Sequence, residues 1–153
     1  MNLIIRTASA NDVETLHAFE QGVINTERDF DVTIKKNNTF YYDLKAMLID
    51  PDVKILVAQS GTEIVGCGYA RIENAKPFFV YNRYSYLGFM YVKPEYRGKG
   101  VNQKIIEALQ QWSLEKGITE LRLQVYNENT GAIKAYEKAG FSKLIIEMRK
   151  CLE

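Results

Sequence analysis

The chain has 153 residues, of which 46% are hydrophobic and 25% charged, and its formal charge is +1. These ordinary globular values predict a single domain, residues 1–153, with a substantial core. A near-neutral chain without a lysine- or arginine-rich tract argues against a nucleic-acid partner, and no apolar run approaches the ~18 residues of a membrane span.

Cysteine and histidine usage points to a reducing compartment and away from a metal site. Cys67 and Cys151 lie far apart, and His17 is the single histidine, so no metal-ligand spacing is present. The segment 1–6 becomes polar too soon for the apolar part of a signal peptide. We therefore expect no metal, no membrane association and a cytoplasmic location.

Apolar periodicity predicts ten elements in the order β-α-α-β-β-β-α-β-α-β. Ser9–Asp12 resembles a capping box before the first helix, and Gly117 and Gly140 are typical residues after a helix end. In chain order we predict a strand at 3–5, a helix with its stripe at 13–23, a loop or broken helix at 26–39, a helix at 40–49, hairpin strands at 54–59 and 62–72, a wide turn at 74–82, a strand at 84–92, a helix at 101–116, a strand at 120–126, a helix at 130–139 and a last strand at 141–149.

The most informative stretch is 92–102, Val-Lys-Pro-Glu-Tyr-Arg-Gly-Lys-Gly-Val-Asn. Pro94 stops an apolar strand because it has no N–H to donate, and a helical stripe begins at Val101. The turn between them is basic and glycine-containing, and it leads into a helix N-terminus, where unpaired N–H groups favour an anion. The residues predicted to hold a phosphate there are Arg97, Gly98, Lys99, Gly100, Val101 and Asn102.

Two common phosphate motifs do not fit this turn. The dinucleotide pattern G-x-G-x-x-G fails because its third glycine position is Gln103, and the acid expected about 20 residues on is misplaced, since Glu120 precedes the next strand. A P-loop would need G-x-x-x-x-G-K-[ST], which the chain lacks.

The turn instead resembles the acyl-coenzyme-A signature of the GCN5-related N-acetyltransferases (GNAT), Arg/Gln-x-x-Gly-x-Gly/Ala. Arg97 and Gly100 match it, whereas Asn102 stands where the family usually has glycine or alanine. Because asparagine is well suited to a helix start, we expect tighter packing around the pyrophosphate and retained binding. A second block, 129–141, resembles the family pattern Asn-x-x-Ala-x-x-x-Tyr-x-x-x-Gly-Phe in spacing and residue type.

The resemblance implies an α/β fold, with a mixed, mostly antiparallel sheet flanked by helices. It also implies acetyl-CoA as cosubstrate, no metal, and transfer of an acetyl group to a primary amine of a small molecule or peptide by direct attack. In the family the fourth and fifth strands splay apart, so Met90 and Val92 are predicted main-chain contacts of pantetheine. Gly88 is a plausible bulge site in that strand.

The second block supplies the chemistry that the resemblance implies. Tyr136 matches the general acid that protonates the leaving thiolate, since a phenol of pKa about 10 can donate to a thiolate of about 8.5. Tyr136 is also predicted to lie beside the coenzyme sulfur. Asn129 matches the residue that contacts the coenzyme arm, and an ordinary helix cap is its rival role.

The base that deprotonates the amine is less clearly marked. Relatives often carry an acid where this chain has Gly88 and Phe89. Glu73, toward the end of the third strand, is the predicted substitute. Carboxylates after the first helix are an alternative means of attracting a cationic amine, namely Glu27, Asp29 and Asp31.

Two other functions fit parts of the sequence. A non-catalytic acyl-CoA-binding sensor would explain the missing acid, although Tyr136 argues against it. A regulator that binds ATP at the basic turn is the other. The aromatic residues near 74–86 are predicted to line an acceptor pocket, cover a homodimer contact or pack on the sheet; they are Phe78, Phe79, Tyr81, Tyr84 and Tyr86.

Overall fold

The sheet of this protein has five strands in the order β1-β2-β3-β4-β5, in a computed structural model that describes all of residues 1–153. β1 to β4 are antiparallel neighbours, and β5 lies parallel to β4. The predicted mixed, mostly antiparallel α/β fold is therefore confirmed. The elements are β1 Leu3–Thr7, α1 Val13–Arg28, α2 Leu44–Ile49, β2 Val53–Ser60, β3 Glu63–Asn74, β4 Arg83–Val92, α3 Val101–Glu115, β5 Leu121–Arg122 and α4 Thr130–Lys138.

The helices cover both faces of the sheet, because side chains of the central strands alternate between two apolar clusters. Helices α1 and α2 pack on one face and α3 packs on the other. Each fully buried leucine, isoleucine or valine contributes about 1.5–3 kcal/mol relative to exposure. Gly66 and Gly68 of β3 let α3 approach closely, since a Cβ at Gly68 would stand 2.9 Å from Ile105 Cγ2.

β4 carries an irregularity at its centre. Its register against β3 shifts between the pairs Tyr69–Gly88 and Cys67–Tyr91. Phe89, within this bulge, has φ +54°, a left-handed conformation that is unusual for a bulky residue. The predicted bulge is thus confirmed, with the left-handed residue one position after Gly88.

Two helix boundaries differ from the prediction. α1 continues through residues 26–28, the start of the segment predicted as a loop or broken helix. α2 begins at Leu44 and not at residue 40, because the backbone N–H groups of Tyr41 and Tyr42 bind the carboxylate of Glu20. That side-chain contact holds both tyrosines in an extended segment.

The predicted last strand, 141–149, is wrong. Residues 141–153 form no strand, and β5 itself pairs with β4 over only two residues. Alternating apolar residues favour a strand only where a neighbouring strand can pair with their backbone. The apolar side chains of this segment consequently remain exposed; they are Leu144, Ile145, Ile146 and Met148.

The helices are short and amphipathic. The longest, α1, has 16 residues, and none combines the length and apolarity that a bilayer crossing requires.

Candidate active site

A cleft opens where β4 and β5 separate. The two strands pair only at Ser85–Leu121 and Tyr86–Arg122, so from Leu87 onward the β5-facing edge of β4 has no strand beside it. Unpaired strand edges present a row of N–H and C=O groups that an extended ligand can bind. The structure therefore offers a strand-like ligand a place to lie.

Met90 directs its main-chain groups into this cleft and Val92 its N–H, whereas the carbonyl oxygen of Val92 accepts from Arg97 Nε at 2.8 Å. Lys93 N–H donates to Val65 O of β3 at 2.8 Å, and alternate residues of a strand turn their polar groups to opposite edges. Tyr91 and Lys93 thus face β3, whereas Met90 and Val92 face away from it. Their position fits the predicted pantetheine contacts, which stay a prediction.

The turn after β4 leads into the N-terminus of α3. Gly98 and Gly100 have φ of +75° and +81°, and a Cβ on either would meet no atom within 4 Å. No side chain caps α3, so its first N–H groups have no partner from a capping side chain. Open space above unpaired donors at the positive end of a helix suits a phosphate.

Of the other turn residues, Arg97 anchors the turn to β4, Val101 packs in the core, and Lys99 adds charge at the surface. Arg97 Nε donates to Val92 O at 2.8 Å and its guanidinium lies 5.7 Å from the Tyr91 ring centroid, which fixes the turn against β4. Val101 is buried in the α3 cluster, so only its main chain is available to a ligand. Lys99 is exposed and adds positive charge beside the turn.

Asn102 fits the expectation of tight packing at this helix start. Its Oδ1 is buried and has no hydrogen-bond partner within the protein. This carbonyl oxygen accepts hydrogen bonds, so it suits a donor group of a ligand or a water molecule and not a phosphate oxygen. The open, uncapped N-terminus of α3, and not Asn102 Oδ1, is what fits a diphosphate, which is the anionic part of coenzyme A.

Tyr136 and Asn129 lie together on α4. Asn129 Oδ1 accepts the N–H of Ala132 at 3.2 Å, so it caps the helix; its contact with the coenzyme stays a prediction. Tyr136 is half-buried and its ring packs edge-on against Phe141 with centroids 6.0 Å apart. Burial, then the charge of Glu27, raises the pKa of the Tyr136 phenol to about 12, so the hydroxyl keeps its proton at neutral pH.

Glu73 lies on the α1 side of β3 and is held by the guanidinium of Arg71. Arg71 also lies over the rings of Tyr69 and Tyr86, at 5.7 and 5.3 Å from their centroids. The role of Glu73 as base stays a prediction.

Cys67 is not a nucleophile candidate. Burial raises the pKa of its thiol, and its Sγ donates to Phe89 O at 3.4 Å. A protonated, enclosed thiol is unreactive, and its hydrogen bond helps to hold the β4 bulge.

Glu20 is a buried structural residue beside the site that the sequence analysis missed. Its side chain is fully buried, and Oε2 accepts the N–H groups of Tyr41 and Tyr42 at 2.7 and 2.8 Å. These bonds place both tyrosines over the α1 face of the sheet, where the Tyr42 ring stacks on Phe89 at 4.5 Å. The available signal was a carboxylate on the apolar stripe of α1, four residues after Leu16.

We expect Glu20→Met to lower stability, because a methionine has no oxygen to accept the N–H groups of Tyr41 and Tyr42, which both bind Glu20 Oε2. A buried donor left unsatisfied costs about 1–3 kcal/mol, which corresponds to a loss of about 2–12 °C in Tm for a chain of this size. Thermal unfolding followed by circular dichroism measures it. The exposed carboxylate of Glu14 on the same helix supplies the control, and a Glu14→Met variant equally destabilised would contradict the explanation.

The aromatic turn before β4 packs around one cation. The guanidinium of Arg122 lies 5.4 to 5.5 Å from the ring centroids of Phe79, Tyr81 and Tyr84. Phe78 remains 75% exposed. Packing on the sheet therefore accounts for most of this cluster, and a homodimer contact stays a prediction.

A mixed sheet split at a bulge, with an anion-binding turn at the split, defines the class of acyl-coenzyme-A-binding folds that the sequence suggested. Comparison with known proteins agrees. The sequence profile of the Acetyltransferase (GNAT) family matches residues 17–141. The chain belongs to the GNAT acetyltransferase family.

Sequence relatives are named as N-acetyltransferases. The thialysine N-epsilon-acetyltransferase of Mus musculus is 31% identical over 111 residues, 70% of this chain and 59% of the relative. That of Sus scrofa is 39% identical over 67 residues, 41% of this chain and 39% of the relative. The matched regions thus span less than two thirds of either relative's length.

Solved structures share the fold. A Clostridium acetobutylicum protein described as a predicted acetyltransferase, solved with acetyl-CoA, superimposes with a TM-score of 0.75 at 18% identity. The match covers 99% of this chain and 97% of that one.

Proposed function

We propose that this protein is an acetyl-CoA-dependent N-acetyltransferase that transfers the acetyl group directly to the amine of a small molecule or peptide. The main support is one juxtaposition: an unpaired β4 edge runs into an uncapped α3 N-terminus. The names of the relatives support an amine acceptor. The missing acid at Gly88 and Phe89 is the feature that a non-catalytic sensor would explain.

Binding would be divided among three groups of residues. The amides and charges of the turn from Arg97 to Asn102 would hold the diphosphate. The outward main-chain groups of Met90 and Val92 would hold the pantetheine arm. Asn129 would contact the arm while it caps α4.

Acetyl-CoA supplies an activated acetyl thioester, and the protein positions the acceptor and moves protons. Main-chain N–H groups near the bulge at Phe89 would stabilise negative charge that develops on the acetyl oxygen. Tyr136 would protonate the departing sulfur. Glu73, the candidate base, would take the proton that the attacking amine loses, directly or through water. A cytoplasmic location and a homodimer remain predictions.

Two measurements test the proposal. We expect calorimetry to detect binding of CoA but not of ATP, which separates the acyltransferase from the nucleotide-binding regulator. We also expect thiol release from acetyl-CoA to depend on added amine, measured with lysine, 1,4-diaminobutane, an aminoglycoside and an N-terminal peptide. CoA binding without turnover on any of them would favour the sensor, and no CoA binding at all would overturn both.

A further inference from the structure

The bulge in β4 contains a strained residue. Phe89 has φ +54°, and a bulky side chain rarely adopts this left-handed region because its Cβ comes too close to the following carbonyl oxygen. A backbone conformation of this kind persists only where the surrounding structure imposes it, and such residues are concentrated at functional sites. The contacts of the buried Phe89 side chain therefore show what imposes the conformation.

The bulge changes which residues of β4 face the cleft. Ser85 N–H donates to Glu120 O, before β5, at 2.9 Å, so ahead of the bulge the odd-numbered residues turn their main-chain groups to that edge. Lys93 N–H donates to Val65 O of β3, so beyond the bulge the odd-numbered residues face the opposite edge. The even-numbered Met90 consequently faces the cleft.

One extra residue causes this reversal. β4 pairs with β3 at Gly88–Tyr69 and again at Tyr91–Cys67, so two residues of β4 lie opposite one residue of β3. Without the extra residue the alternation would continue unchanged, and Met90 would turn its main-chain groups toward β3. The cleft contacts of the strand thus depend on the left-handed residue that forms the bulge.

The ring of Tyr42 covers the ring of Phe89. Their centroids lie 4.5 Å apart, with 28° between the ring planes. The same Tyr42 ring packs edge-on against Tyr69, with centroids 5.7 Å apart, and Tyr69 is the β3 residue that pairs with Gly88. Tyr42 therefore contacts both strands at the point where the bulge begins.

Tyr42 is itself held by α1. Its N–H and that of Tyr41 donate to Oε2 of the fully buried Glu20, at 2.8 and 2.7 Å. The other oxygen, Oε1, lies 3.2 Å from His17 Nδ1. Because hydrogen bonds to a carboxylate are stronger than neutral ones, the segment that carries Tyr42 is firmly fixed to the helix.

A second contact of Phe89 is weaker. Cys67 Sγ donates to Phe89 O at 3.4 Å, and a thiol is a weak donor. Aromatic stacking is the stronger of the two interactions. The Tyr42 ring is thus the main restraint on the strained residue.

Building on the proposed function, we propose that Tyr42 is a positioning residue for acetyl transfer. Its ring holds Phe89 in the left-handed conformation, and the resulting bulge directs the main-chain groups of Met90 toward the pantetheine arm and the acetyl oxygen. Tyr42 acts through Phe89, without touching the coenzyme.

The first test compares Tyr42→Leu, which removes the stacked ring, with Tyr42→Phe, which keeps it. We expect kcat with a good acceptor amine to fall about tenfold in Tyr42→Leu, the size of the strain at one left-handed residue, and to stay within about twofold in Tyr42→Phe. Kd for CoA should stay within about threefold in both, because the anion-binding turn 97–102 is unchanged. Retained binding by calorimetry shows that both variants are folded.

The second test asks whether the effect passes through residue 89. Phe89→Gly removes the ring and the strain together, whereas Phe89→Ala removes only the ring, so we expect kcat of the glycine variant to be higher by at least about threefold. Flexibility alone would make glycine the poorer residue in a strand. In the Phe89→Gly background, Tyr42→Leu should change kcat by less than about twofold, since no strained residue is left to hold.

Three results would overturn this inference and leave the acetyltransferase intact. They are a parental kcat in Tyr42→Leu, an equal loss in Tyr42→Phe, and a loss in Tyr42→Leu that persists undiminished in the Phe89→Gly background. A Phe89→Ala variant as active as Phe89→Gly would also contradict it. A parent inactive on every amine would instead overturn the proposed function, and the catalytic role of Tyr42 with it.

Discussion

Tyr136→Phe is expected to lower kcat by about 100-fold while leaving the Kd for acetyl-CoA within about twofold of the parent. The substitution removes the hydroxyl that protonates the departing sulfur and keeps the ring that packs against Phe141. Steady-state rates with a good acceptor amine measure the loss of kcat, and calorimetry with CoA measures whether coenzyme affinity is kept.

The size of this effect follows from the environment of the phenol. A pKa of about 12 for Tyr136 makes it a weak acid toward a thiolate of pKa about 8.5, so the expected gain lies at the low end of the usual range for general acids. The pKa is raised first by burial and then by Glu27.

Tyr96→Phe is the matched control, because the Tyr96 hydroxyl is bound to Glu63 at the surface. We expect its kcat to stay within about twofold of the parent. If Tyr136→Phe kept the parent's kcat, the phenol would be a packing residue only, and the proton would have to reach the sulfur from water.

The parts of the site that the sequence predicted are local in the chain. The turn at Gly98–Gly100 joins two elements that are neighbours in the chain. Its residue types alone therefore predict where the strand ends, where the backbone is left-handed and where the helix begins. The block from Asn129 to Tyr136 is equally local, because one cap and one helical period fix it. The turn and the block could therefore both be predicted without knowledge of the rest of the fold.

The parts that the sequence did not predict depend on distant contacts. Glu20 and Tyr42 are 22 residues apart, and their bond determines where α2 begins. The segment 141–149 has a strand-like pattern, yet a strand also needs a partner, and β5 pairs over two residues only. The partners of Asp31 are likewise distant, since Tyr126 and Arg149 lie more than 90 residues away in the chain.

Gly100→Val is expected to weaken CoA binding by about 30- to 100-fold. The added side chain fills the open space above the first turn of α3, where the phosphate is proposed to approach the amides. Charge-assisted hydrogen bonds and the helix dipole together contribute about 2–3 kcal/mol at such a site, and each 1.4 kcal/mol is about tenfold in Kd. Calorimetry with CoA measures the change.

Backbone strain must be separated from the loss of the binding site, and α3 itself offers the control. Gly117, after its C-terminus, has φ +76° and open space around it, like Gly100 with φ +81°. Valine at either position is strained by at least about 1–2 kcal/mol, so we expect both variants to lose a similar 2–8 °C in Tm. Only Gly100→Val should lose affinity for CoA, because only the N-terminus of α3 presents free N–H groups. Equal loss of affinity in both variants would mean that strain transmitted along α3, and not an obstructed anion site, explains the effect.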